Sequence, residues 1–140
     1  MAERLRKVRY AIPGETPAQK NEVRFARGRT YKSDRFREWR ESALWELRSQ
    51  GLPERPYQSA EIEVLFVHSD LRRRDGDNQL SSVQDLLVAA GVIADDCWTR
   101  IGTPRVSHSV GPEARCEIRV CEVTPTDWKG TLRDARRGKA

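Results

Sequence analysis

The sequence predicts a small single-domain α/β protein of the α+β kind, a mixed β-sheet with two main helices packed on it in the order β-α-β-α-β-β. Three observations lead there. The 140 residues suffice for one core and not for two. Two stretches carry apolar residues at helical spacing, and apolar runs of strand character stand before, between and after them. The hydrophobic share of 37% against 34% charged residues further predicts a small core with much loop, tail and solvated face.

In KVRYAIPG, Val8, Tyr10 and Ile12 alternate with polar neighbours until Pro13 and Gly14 break the chain, the pattern of a half-buried strand. ETPAQKNEVRFARGRTYKS is turn-rich and basic, and reads as an extended, mobile loop with Gly28 at a hairpin tip. Ser33 or Asp34 caps a helix over RFREWRESALWELRSQ, where Phe36, Trp39, Ala43, Leu44 and Leu47 share one face before Gly51 and Pro53 end it. AEIEVLFVH, residues 60–68, is a strand whose apolar centre, Val64 to Val67, is expected to be buried on both sides. After Asp77, the residues Leu80, Val83, Leu86, Leu87 and Ala90 recur at helical spacing up to a Gly91 cap. TRIGTPRVSHS and RCEIRVCEV supply two more strands, joined at Gly111 and Pro112. Beyond Thr124 the chain is basic and lacks apolar periodicity. The domain is therefore placed at 1–124, and 125–140 is expected to be a flexible basic tail.

Lys and Arg number 26 against 21 Asp and Glu, a net charge of +5 that is unevenly spread; such an excess favours a polyanionic partner, nucleic acid first. Cys97, Cys116 and Cys121, with the distant His68 and His108, do not form a zinc spacing and read as reduced thiols. The histidines read as structural or exposed rather than catalytic, since no neighbour completes a nucleophile-base pair. The N-terminus lacks the apolar core of a signal peptide and no apolar run is long enough to span a bilayer, so a soluble, cytoplasmic protein without a membrane partner is expected.

The chemistry concentrates in RRRDGDNQLSSVQDLL, residues 72–87. In an extended segment side chains i and i+2 point the same way, so Asp75 and Asp77 can converge on a divalent cation, with Gly76 leaving room and Asn78 adding a neutral oxygen. Mg²⁺, with Mn²⁺ as the alternative, takes one or two carboxylates plus water and substrate phosphate, and a helix N-terminus favours phosphate. A second pair, Asp95 and Asp96, follows the helix. Thirteen helical residues span about 20 Å, and the five steps from Gly91 to Asp96 reach at most about 17 Å. Either that segment doubles back along the helix, or the pair completes a site across a dimer interface. Taken alone, the same aspartates are ordinary helix caps and the arginines an ordinary solvated run.

RRRDGDNQLSSVQDLLVAAGVIADD, residues 72–96, resembles the RusA family of Holliday-junction resolvases: a basic run, D-x-D-N, an amphipathic helix, A-G-V and a D-D pair. TPAQKN and RGRTYKS resemble the family's N-terminal loop, and the resemblance extends over about residues 5–123. It implies a Mg²⁺-dependent endonuclease acting on four-way DNA junctions as a homodimer, typically encoded by phage or prophage. Carried over by position, Asp75, Asp77 and Asp96 would be the catalytic carboxylates, with Asp95 beside them on the metal. Lys20, Arg24, Arg27, Arg29 and Lys32, near Phe25 and Tyr31, together with Arg72, Arg73 and Arg74, are the candidate DNA contacts. Asn78, Ser81 and Asp85 are expected to support the carboxylates from behind. One position departs from the family: its functional lysine, four residues after the second aspartate, is Ser81 here. The alternative reading is a junction-binding module with weak or lost cleavage, Lys32 or Arg74 being the substitutes considered for the missing cation.

Overall fold

The computed structural model describes residues 5–18, 23–26, 29–32 and 34–138, with side chains described outside 23–32. In chain order the elements are β1 (Lys7–Pro13), β2 (Val23–Ala26), β3 (Arg29–Lys32), α1 (Asp34–Gln50), β4 (Ala60–His68), α2 (Gly76–Ala90), α3 (Trp98–Ile101), β5 (Arg105–Val110), β6 (Arg115–Glu122) and α4 (Trp128–Arg136). β1, β6, β4 and β5 form one mixed sheet in that order, antiparallel except for the β4–β5 pair, and β2 and β3 form a separate antiparallel ribbon. The sheet and its two long helices follow the predicted β-α-β-α-β-β order. The segment read as a basic loop carries the β2–β3 hairpin, and its tip, 27–28, lies outside the described residues.

Alternation decides which face of the sheet is dry. Ile12, Cys116 and Phe66 stand in one cross-strand row with His108, and Tyr10, Ile118 and Val64 in the next; the apolar members are all buried. α1 and α2 cover that face with Ala43, Leu47, Val83, Leu86 and Leu87. Each such side chain contributes about 1.5–3 kcal/mol by leaving water. The opposite face is open. Arg9, Arg119, Glu63 and Arg105 form a row across it, and Glu63 pairs with Arg119 at 3.1 Å and Arg105 at 3.5 Å. The expectation that the apolar centre of β4 is buried on both sides fails at Leu65, which is only half-buried because the helices cover one face alone, and holds at Val67, which is buried beside Gly111.

Within the segment read as a flexible basic tail, residues Trp128–Arg136 form α4. Asp127 caps α4 by accepting the Gly130 N–H at 2.9 Å. Trp128 donates its indole N–H to the Thr99 carbonyl at 3.2 Å and meets Trp98 edge-on at 5.0 Å. Two large apolar residues, Trp128 and Leu132, are too few to register as periodicity, yet one aromatic contact and a cap orient the helix.

Candidate active site

β4 and β5 run parallel with α2 and α3 in the crossover between them. The carboxyl end of β4 at His68 therefore leads through residues 69–75 into the start of α2, the place where open α/β sheets bind ligands. Asp75 ends that loop in an extended conformation (φ −95°, ψ 100°), and its side chain caps α2 by accepting the Asn78 N–H at 3.3 Å. Asp77 is already helical, in the first turn. The two carboxylates thus do not share the extended segment expected from their spacing. They are brought together by the turn of a capped helix, and with Arg73, Arg74 and Gly76 they line an open recess of about 520 Å³.

Asn78 turns its amide nitrogen onto Asp75 Oδ2 at 2.7 Å, so it holds that carboxylate from behind. The Asp77 carboxylate is exposed and has no hydrogen-bond partner among the described residues. Ser81 donates its hydroxyl back to the Asp77 carbonyl at 3.1 Å, within its own helix. Asp85 points elsewhere and accepts from Arg40 Nε of α1 at 3.2 Å, a bridge between the two helices.

The three arginines divide by role. Arg72 is exposed and pairs with Asp70 at 3.5 Å. Arg74 is drawn inward, its guanidinium held by Glu15 and by Asp70 at 2.6 Å, and it also donates to the Asp70 and Arg72 carbonyls. The Asp70 carboxyl is held below its usual range, first by the Arg72 backbone N–H and then by the Arg74 side chain. Arg73 alone is exposed with no ion pair among the described residues. Lys20 and Arg27 lie outside the described residues, as do the side chains of Arg24, Arg29 and Lys32.

Asp95 and Asp96 are exposed at the far end of α2. The helix closes at Gly91, whose left-handed φ of 81° turns the chain. The Val92 N–H then bonds the Leu87 carbonyl at 2.9 Å, and Val92 and Ala94 are tied to Tyr57 at 2.9 and 3.0 Å. The chain is thereby pinned at that end and does not double back. Among the described residues no group of three or more His, Cys, Asp or Glu is placed to hold a metal ion, so one chain does not gather both acidic pairs. Asp75 and Asp77 by themselves are a hard-oxygen set of the kind Mg²⁺ accepts, one or two carboxylates with room for water and phosphate.

Sequence reasoning missed a second layer. Residues 15–17 pack on α2: Gln79, buried, donates to the Thr16 carbonyl at 2.8 Å, and Ser82 to the Pro17 carbonyl at 2.6 Å. Glu15 is thereby set against the end of β4, where His68 Nδ1 lies 2.6 Å from Glu15 Oε1 and His68 Nε2 lies 2.9 Å from His108 Nδ1. The two imidazoles stack with centroids 5.2 Å apart, and the Phe66 ring stacks on His108 at 5.5 Å. The remaining His108 nitrogen abuts Gly76: a Cβ there would stand 3.0 Å from His108 Nε2. No local pattern announces this, because Glu15, His68 and His108 meet only through strand pairing. The one available hint was Gly76 itself, between two aspartates.

The chain is thus an α+β protein with two carboxylates and an unpaired arginine on one recess, at a helix start and the carboxyl end of a parallel strand pair, an arrangement whose chemistry suits a phosphate-bearing ligand. Residues 13–121 match the family described as Endodeoxyribonuclease RusA, and the chain belongs to that family. It is 31% identical over 80 residues, 57% of this chain, to "Crossover junction endodeoxyribonuclease RusA" of Aquifex aeolicus (strain VF5), and the match spans 64% of that relative's length.

Proposed function

We propose that the chain is a metal-dependent endodeoxyribonuclease that resolves four-way DNA junctions by paired, symmetrical nicks. The observation that carries this reading is the Asp75–Asp77 recess flanked by Arg73, in a chain of the RusA family. Its relative's name, a crossover junction endodeoxyribonuclease, supports the substrate. Asp75 and Asp77 hold Mg²⁺, or Mn²⁺ in its place; when bound, such an ion polarises the scissile phosphate and stabilises the leaving oxygen. Arg73 and Arg72 contact backbone phosphates, which position the substrate without reading its sequence. The basic hairpin, with Arg24, Arg27, Arg29 and Lys32, extends that contact.

The working unit in this reading is a homodimer. Asp95 and Asp96 of a second copy complete each recess, which follows if both acidic pairs serve one metal while a single chain keeps them apart. A two-fold dimer also suits a substrate that needs two matched cuts.

A second reading is favoured by Ser81, whose hydroxyl is spent on the Asp77 carbonyl and supplies no cation: a junction-binding module that cleaves weakly. Incubation with a synthetic four-way junction and Mg²⁺ separates the two. Paired nicks that disappear in Asp75→Asn support the nuclease. Tight junction binding without nicks supports the module, and no preference over linear duplex removes both.

A further inference from the structure

We propose that His108 is the general base for the attacking water, and that Glu15 and His68 are positioning residues that fix its tautomer. The proposal rests on the nuclease reading and assigns a proton acceptor packed against Gly76, a residue that lines the recess. It follows from hydrogen-bond direction along a chain of three side chains.

Glu15 Oε1 is already an acceptor for Arg74 and for Gln79 Nε2 at 3.3 Å. A carboxylate so held has lone pairs to offer and no hydrogen to give, so His68 Nδ1, 2.6 Å away, is the donor. A neutral imidazole has one donor and one acceptor nitrogen. In a neutral His68, Nε2 then accepts, and His108 Nδ1, at 2.9 Å, donates to it. With its only hydrogen spent, His108 presents a lone pair on Nε2, the atom that faces Gly76, whose chain neighbours are Asp75 and Asp77. The same logic, a carboxylate fixing an imidazole so that its outer nitrogen can take a proton, operates in hydrolytic triads.

The surroundings hold this arrangement still. His68 is buried at 8% exposure, and Phe66 stacks on both imidazoles, at 17° to His68 and 25° to His108. His108 is exposed at the sheet edge, so the proton it gains can leave to solvent. Gly76 has a reason beyond the turn: a Cβ there would stand 3.0 Å from His108 Nε2, so the ring would have to give by a few tenths of an ångström.

The step balances as follows. A water O–H bond breaks and its proton bonds to His108 Nε2. The electron pair left on oxygen forms the new bond to phosphorus. The bond from phosphorus to the 3′ oxygen breaks, and that oxygen leaves with the pair and takes a proton from solvent. His108, now an imidazolium, shares its charge along the chain towards Glu15.

The direct test is the ring ¹H–¹⁵N correlation spectrum of the full chain near neutral pH, without metal or DNA; the protein has only 2 histidines to assign. Both rings are expected in the Nδ1–H form with Nε2 unprotonated. A hydrogen on His108 Nε2, or a His68 protonated on both nitrogens, overturns the proposal. Glu15→Leu, which leaves the His68 Nδ1 hydrogen without an acceptor, is expected to return both rings to the Nε2–H form that a free imidazole prefers, whereas unchanged tautomers would make Glu15 merely structural. His108→Gln is expected to slow single-turnover junction cleavage by about 10²-fold, in the usual range for a lost general base, with junction affinity kept; equal rates overturn the base. The outcomes are separable. Expected tautomers in a chain that cuts no junction sink the nuclease reading and the base with it, while reversed tautomers in an active enzyme sink the base alone.

Discussion

Asp75 does two jobs at once, as helix cap and as a wall of the recess, and Asn78 is the residue that lets it do both. Asparagine caps almost as well as aspartate, so Asp75→Asn separates charge from fold. Ser81 is the position where chemistry and sequence disagree most. It sits one turn beyond Asp77 and exposed, so Ser81→Lys can be accommodated and would place a cation beside the recess. We expect faster junction cleavage at saturating Mg²⁺; a rate that stays level or falls ends the idea that this residue limits turnover. The aspartates were legible in the sequence because they are four consecutive residues with Gly76 and Asn78, and their neighbours in space are their neighbours in the chain. Glu15, His68 and His108 were not, since 53 and 40 residues separate the bonded pairs, and both histidines read individually as bland. Arg74 was legible as basic but not as occupied: three arginines in a row look alike until Glu15 and Asp70 claim one of them.

α2 is the element that orients the recess, and its two ends are specified by single residues. Asp75 starts it, and Gly91 stops it in a conformation that costs an L-residue about 1–2 kcal/mol. Gly91→Ala is expected to lower stability by about that amount in urea unfolding, with the far-UV spectrum of the native state unchanged; a neutral result would mean that the turn to Val92 is set by the Tyr57 bonds instead. Between the ends, Val83, Leu86 and Leu87 are fully buried, which the 3.6-residue spacing announced. The same spacing announced Leu47 and Ala43 of α1. Periodicity failed where the cause of order was different. α4 is held by a cap and an indole contact, and the buried polar face of α2, Gln79 and Ser82, is explained only by residues 15–17, which lie over it. Hydropathy cannot foresee a polar residue that is buried because a backbone carbonyl waits for it.

At the scale of the molecule, the separation of the two acidic pairs makes assembly testable. In a mixture of Asp75→Asn and Asp96→Asn chains, a heterodimer with sites built across the interface keeps one recess wholly native and loses the other. Single nicks should reappear on mixing two inactive variants; a mixture as inactive as its components would place each site within one chain. Stability should respond to alkali as well. Burial pushes the Cys116 thiol up to about 12 from its ordinary 9.0, so the folded state keeps a proton that the unfolded chain gives up. A raised value stabilises below the unfolded one and is lost as pH rises through the folded one, which places the decline between pH 9 and 12. Urea midpoints measured across that interval should fall, and fall less in Cys116→Ala. The sheet itself was predictable as a mixed one with helices, but its order was not, because nothing local says that β5 lies parallel to β4 at the edge. That placement has a cost in tolerance. His108 meets its partners only while it stands opposite Phe66, and a strand held on one side by a single neighbour slides more readily than a central one. One residue inserted between Gly102 and Arg105 and taken up by sliding would bring Ser107 opposite Phe66. The protein would fold and lose its ring pair, so the length of a three-residue connector is part of the working part's specification.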